Sequence, residues 1–179
     1  MTDHDRAMLL SVRPRYAESI LAGAKRAEIR RQRPGIAPGT PVIIYATKPL
    51  GAVIGTAIID RVCEGTPADL WNQYHQEMGV TQDEFEQYLS GIPTAYLLLL
   101  SGASRLISPL TLDDMRESAD FQPPCSYRYV DHSTLRTLVN GHPAGTSLLS
   151  ATKLTHEGWR SPSGYLTQAR ASPAASATS

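Results

Sequence analysis

Hydrophobic and polar positions fall into two alternating rhythms along this chain. Ala7 to Val12 is a short apolar run, the length of one buried strand. Pro14 suits the first turn of a helix, where its missing N–H costs nothing. Ala17, Ile20 and Leu21 follow at i, i+3, i+4 spacing and predict one buried helical stripe. Gly23 fits the position just past the helix end, which favours the left-handed conformation. Next, Ala27 and Ile29 alternate with Glu28 and Arg30, the period of a strand with two unlike faces. Pro34, Gly35, Pro38 and Gly39 mark a loop. Val42 to Ala46 reads as a strand that ends at Thr47-Lys48-Pro49, where proline denies the next ladder hydrogen bond. Ala52 to Val62 is another, and Gly55 inside it predicts a bulge or a close backbone approach.

The rhythm then changes. Thr66 is a good N-cap before Pro67, with Asp69 three residues on, and Leu70, Trp71 and Tyr74 form the inner face. A break near Gly79 leads to Thr81, a second N-cap, with Glu84 three residues on. Phe85, Tyr88 and Leu89 point that second helix inward, and Gly91 and Pro93 end it. Tyr96 to Leu100 predicts a strand, extended past Gly102 by Arg105 to Ile107, and Pro109 to Leu112 a turn into Asp113-Asp114. Pro123-Pro124 holds the backbone extended. On the strand after it, Tyr127 and Tyr129 share one face and Arg128 takes the other. Ser133 to Val139 predicts a short helix. Beyond Asn140 the chain is rich in Gly, Ser, Thr, Pro and Ala, and Ala169 to Ser179 is predicted to be disordered. Strand, helix, then several strands in quick succession predict an α+β protein, a mixed sheet curling into a small barrel with flanking helices.

Composition narrows the class. With 179 residues, 41% of them apolar, the chain suits one domain with a buried core. Lys plus Arg and Asp plus Glu balance at 17 each, so no global field drives it onto nucleic acid or membrane. The distribution is polar nonetheless: residues 11–33 carry a net +5 and residues 60–90 a net −6. Such an arrangement creates a local anion site, or two solvated faces that neutralise each other. Cys63 and Cys125 are far apart, and the five histidines show no metal-ligand spacing, so neither a disulfide, a metal nor another cofactor is expected. The N-terminus has no signal-like apolar core, and the Leu97 to Leu100 run is far too short to span a bilayer. A cytoplasmic protein with no membrane partner is expected.

Candidate chemistry concentrates between Gly23 and Arg33, where Lys25, Arg26, Arg30, Arg31 and Arg33 surround the one carboxylate of Glu28. Lys25, Glu28 and Arg30 on one rim would grip an anionic, hydrogen-bonding ligand. The alternative is a surface ion-pair cluster worth ~0–1 kcal/mol per pair. Arg13, Arg15 and Arg31 are candidates for contacts to a phosphate backbone. Tyr45 and Trp71 have stacking faces, although Trp71 on an amphipathic helix fits a core role better. Thr47 and Lys48 end a strand near the same rim. Ser126 and Arg128 carry donors toward the cleft, and Tyr127 is a candidate wall.

The string Gly23-x-Lys25-x-x-Glu28-x-Arg30 in this order of elements resembles the ASCH domain family of the PUA-like superfamily. The opening Leu10-Ser11-Val12-Arg13-Pro14-Arg15-Tyr16, the Val42 to Ala46 strand, the Gly55 strand and Pro123-Pro124-x-Ser126-Tyr127-Arg128-Tyr129 carry the same likeness. It covers roughly residues 8–130 and leaves 131–179 as a C-terminal extension. The resemblance implies a PUA-like mixed-sheet barrel, a cleft beside the first helix, and binding of RNA or a modified nucleoside or nucleotide. It also implies alternatives: hydrolysis of acylated nucleosides, ribonuclease action, or transcriptional regulation through a protein or DNA partner held by the extension. The hydrolase branch uses a Lys, a Thr and a Glu. Lys25 takes the lysine place and Glu77 approximates the glutamate, but Glu28 stands where the threonine nucleophile belongs.

Overall fold

The structure, a computed structural model, describes residues 6–153. The expected disorder at 169–179 lies outside those residues. The chain begins with β1 (Arg6–Val12), α1 (Pro14–Leu21), β2 (Ala27–Arg30), β3 (Pro41–Ala46) and β4 (Ala52–Gly65). Helices α2 (Pro67–Met78) and α3 (Gln82–Tyr88) precede β5 (Ala95–Thr111). Then come α4 (Leu112–Ser118), β6 (Tyr127–Asp131), α5 (His132–Leu138) and α6 (Gly145–Lys153).

Strand order is β2-β5-β4-β3-β1-β6. β1 and β3 run parallel, and every other neighbouring pair is antiparallel. This is the expected α+β, PUA-like mixed sheet. Both of its faces are covered. On one, Ala7, Leu9, Ile43 and Tyr45 pack with Met115, Phe121, Leu135, Leu138 and Leu148 beneath α4, α5 and α6. On the other, Met8, Leu10, Val42, Ile44, Ile54, Leu98 and Leu100 pack with Ala17 and Ile20 of α1. A third cluster seats α2 and α3 on the outer face of β2 and β5 through Leu70, Met78, Phe85, Ile29, Leu97 and Leu99.

Local sequence explains most boundaries. Thr66 caps α2 by accepting from the Asp69 N–H, and Thr81 and Glu84 form a full capping box on α3. Gly23 and Gly79 both take positive φ at helix ends, 77° and 60°. Gly55 serves the close approach that the sequence predicts. A Cβ there would lie 2.4 Å from Leu21 Cδ2 and 2.6 Å from the Ser104 carbonyl oxygen, and the β4–β5 register shifts beside it.

β5 is one strand of 17 residues that continues past Gly102, at φ 58°, as the sequence predicts. Three expectations need correction. No turn precedes Asp113: β5 runs into α4 through Thr111, whose side chain and Asp114 form a capping box. Tyr88 does not point inward but is 42% exposed, while its neighbours Phe85 and Leu89 are buried. Finally, α6 forms in the Gly/Ser-rich stretch after Asn140, because Ala144 and Leu148 complete the cluster beneath α5.

Candidate functional site

β2 and β6 are the two ends of the strand order, and no ladder joins them among the described residues. A cavity of about 590 Å3 borders this seam. Its inner wall is Glu28 and Arg30 of β2 with Lys25 from the preceding turn. Arg13, Arg15 and Tyr16 come from the start of α1, Glu84, Phe85 and Tyr88 from α3, and Cys125 and Ser126 from the segment entering β6. The seam explains why polar residues occupy an otherwise apolar sheet face. Glu28 lies opposite Leu98, a member of the interior cluster, so it shares that face.

Lys25 is only 2% exposed. Its Nζ donates to the Ala27 carbonyl at 2.8 Å and to the Met78 carbonyl at the end of α2, and it is ion-paired with Glu28 Oε2 at 3.2 Å. Two of its three N–H donors thus go to backbone carbonyls, and the charge faces the Glu28 carboxylate. The left-handed Gly79 makes this possible, since a Cβ there would stand 3.1 Å from Lys25 Cβ. Glu28 accepts a charged hydrogen bond from Arg30 Nη1 at 2.8 Å, and that nitrogen also donates to the Ile29 carbonyl at 3.1 Å. Arg30 Nε and Nη2 are buried and have no hydrogen-bond partner among the described residues. A buried donor left unsatisfied costs ~1–3 kcal/mol, and Arg30 is one of the residues lining the cavity.

The rim is more exposed than the inner wall. Arg15, more than half exposed, donates to Glu84 and to the Tyr16 hydroxyl, with its guanidinium 4.4 Å from the Tyr16 ring centroid. The Thr81 backbone N–H first, and then Arg15, hold the Glu84 carboxyl below its usual range. The same bond to Glu84 raises the Arg15 pKa. The Arg31 guanidinium sits 5.7 Å from the centroid of the Tyr88 ring that borders the cavity. No cluster of three or more His, Cys, Asp or Glu side chains able to hold a metal occurs among the described residues.

The sequence signature of the ASCH domain matches residues 10–99. An ASCH domain-containing ribonuclease of Zymomonas mobilis subsp. mobilis is 32% identical over 133 residues, which span 74% of this chain and 89% of that protein. The chain belongs to the ASCH domain family. Its fold also matches the crystal structure of ASCH from Zymomonas mobilis, with a TM-score of 0.71 at 29% identity over 77% of this chain and 96% of that one. A serine-to-alanine variant of the same protein gives 0.71 over 78% and 97%.

Within this ASCH domain the cavity brings together Arg13, Arg15, Lys25, Glu28, Arg30 and Ser126. The other candidates stand elsewhere. Tyr45 is 2% exposed in the cluster beneath α4 and α5, so its ring is closed to a base. Arg128 lies on the opposite face of β6 from Tyr127, with its guanidinium 4.6 Å from the centroid of the Phe121 ring. Tyr127 packs edge-to-face with Tyr129 against the interior cluster and does not line the cavity. Thr47 and Lys48 sit in the β3–β4 turn, and Glu77 faces Arg26 at 3.8 Å, all outside the cavity wall. Arg31 reaches the site only through Tyr88. Trp71 packs at 5.1 Å from the centroid of the Phe85 ring, the core role its helix implies. Tyr16, Glu84, Tyr88 and Cys125 also line the wall and are polar or aromatic residues that sequence reasoning missed. The capping box named Glu84 only as a helix signal, and nothing local tells which face of α3 meets the seam.

Proposed function

We propose that this ASCH chain binds single-stranded RNA at the seam cavity and cleaves it. One observation carries the reading. A cavity of nucleotide size is lined by Arg13, Arg15, Lys25 and Arg30, in a chain 32% identical to an ASCH domain-containing ribonuclease. Arg13 and Arg15 at the rim contact the phosphate backbone, and Tyr16 and Tyr88 offer rings for stacking. Glu28 is the proton acceptor on the inner wall. Lys25 holds Glu28 in place rather than touching the ligand, because its ammonium is buried and already committed to two backbone carbonyls and that carboxylate.

Hydrolysis of an acylated nucleoside has less support. The threonine place holds Glu28, Glu77 is outside the cavity, and the Lys25 ammonium is buried against two backbone carbonyls and Glu28. The test is binding of a labelled single-stranded RNA across a salt series. Phosphate contacts predict log K falling with log salt by about 0.7 per contact. Arg13→Gln with Arg15→Gln is expected to reduce that slope by about one to two contacts. Weak binding that ignores salt overturns the reading. RNA left intact by the wild-type chain removes the cleavage part alone.

A further inference from the structure

Arg30 has more donors than its surroundings use. Nη1 is committed to Glu28 and to the Ile29 carbonyl, while Nε and Nη2 are buried and unpartnered among the described residues. Together Nε and Nη2 form the side-on edge of the guanidinium, whose two parallel N–H bonds match the oxygens of a carboxylate or phosphate. Glu28 fixes the plane of that edge, and Lys25 fixes Glu28. Counting Lys25 and Arg30 against Glu28, the inner wall carries one excess positive charge, and all three side chains are more than nine-tenths buried. An anion balances such a site; a neutral base edge leaves the charge uncompensated. Ser11 borders the cavity too, but along β1 it falls on the Ala7 and Leu9 side, away from the Glu28 face, so it is not part of this subsite.

Depth sets the class of phosphate. The rim cations Arg13 and Arg15 are exposed, whereas Arg30 is 8% exposed. An interior phosphodiester continues into chain on both sides, and both would have to enter the buried part of the cavity. A phosphomonoester at a strand end continues on one side only, and it carries the higher charge. We propose that Arg30 forms an anion subsite for the terminal phosphate of an RNA strand, with the rim arginines following the chain outward. This rests on the RNA reading for the identity of the phosphate, not for the presence of an anion at Arg30.

The experiment compares one RNA sequence in three forms, with a 5′-phosphate, a 3′-phosphate and neither, bound to the full chain and to Arg30→Lys. Lysine keeps the charge and the Glu28 partner but cannot present the two-pronged edge. One phosphorylated form is expected to bind the wild type at least tenfold tighter than the bare strand. In Arg30→Lys that ratio is expected to fall to near one, whatever the change in absolute affinity. Equal binding of all three forms by the wild type overturns the subsite even if RNA binding survives. A ratio that persists in Arg30→Lys also overturns it. Should Arg30→Lys fail to fold, the 15N resonance of Arg Nε–H in the wild type replaces it. That signal is expected to shift on adding inorganic phosphate, and an unmoved signal overturns the proposal. A shift with phosphate but no binding of any RNA form would sink the RNA reading and leave the anion subsite standing.

Discussion

Lys25 shows how a residue's chemistry is set by its partners. In the sequence it is a cation in a basic stretch; in the fold it is a buried strut joining the end of α2, the start of β2 and Glu28. Lys25→Met is therefore expected to destabilise the chain by about 3–5 kcal/mol in urea unfolding, because it leaves two buried carbonyls and half of Glu28 unpartnered. Asp131 is the opposite case, an exposed residue with a sharply defined job. It caps α5, and the Thr134 backbone N–H first, then the Ser133 hydroxyl, draw its pKa from 3.8 down to about 2. A lowered folded-state pKa contributes stability above the unfolded value and loses it as pH falls through the folded one. Asp131→Ala is thus expected to cost about 1 kcal/mol at pH 7. Denaturant titrations should show the gap to wild type closing between pH 4 and pH 2. An equal gap at both ends of that window would mean the cap bond is not the source.

Among elements, the contact of α1 with the β4–β5 pair is the tightest constraint. Gly55→Ala is expected to cost about 1–3 kcal/mol by overpacking. Adding Leu21→Ala should not restore it, since the new Cβ still meets the Ser104 carbonyl. Melting temperatures of the single and double variants decide this. Element existence was well marked in the chain: the caps of α2 and α3, the stop at Gly23, the apolar run of β1 and the alternation in β2 all follow from local sequence and backbone geometry. Two helices were hidden. Thr111 and Asp114 carry the α4 cap, but a proline nearby favoured a turn reading. α6 has little apolar content, and only the surface beneath it makes its few apolar side chains sufficient.

For the molecule as a whole, the oppositely charged stretches meet each other. Arg15 with Glu84, Arg26 with Glu77 and Arg33 with Glu64 join the basic and acidic segments. These exposed pairs are worth ~0–1 kcal/mol each, so they tune the field more than the stability. What remains for a ligand is the excess at the inner wall. Residues 131–153 also belong to the core at this scale, because Leu135, Leu138 and Leu148 cover Ala7, Leu9 and Ile43. A chain ending at Asp131 is expected to lose its cooperative thermal transition in circular dichroism.

By itself the sequence determined the order of the strands and of α1, α2, α3 and α5, the stop at Gly23, the caps of α2 and α3, the mixed-sheet class and the residues of the Lys25, Glu28, Arg30 cluster. Those features are local, fixed by the period of side chains and the conformational limits of Gly, Pro and Thr. Tertiary structure alone decided that Tyr45 and Arg128 turn away from the cavity, that Tyr16, Glu84 and Tyr88 turn toward it, that Lys25 is buried as a strut and that Arg30 keeps two buried donors unpartnered among the described residues. Each of these depends on a partner supplied from a distant part of the chain, such as the Met78 carbonyl or the Phe121 ring, and no local pattern encodes which partner arrives.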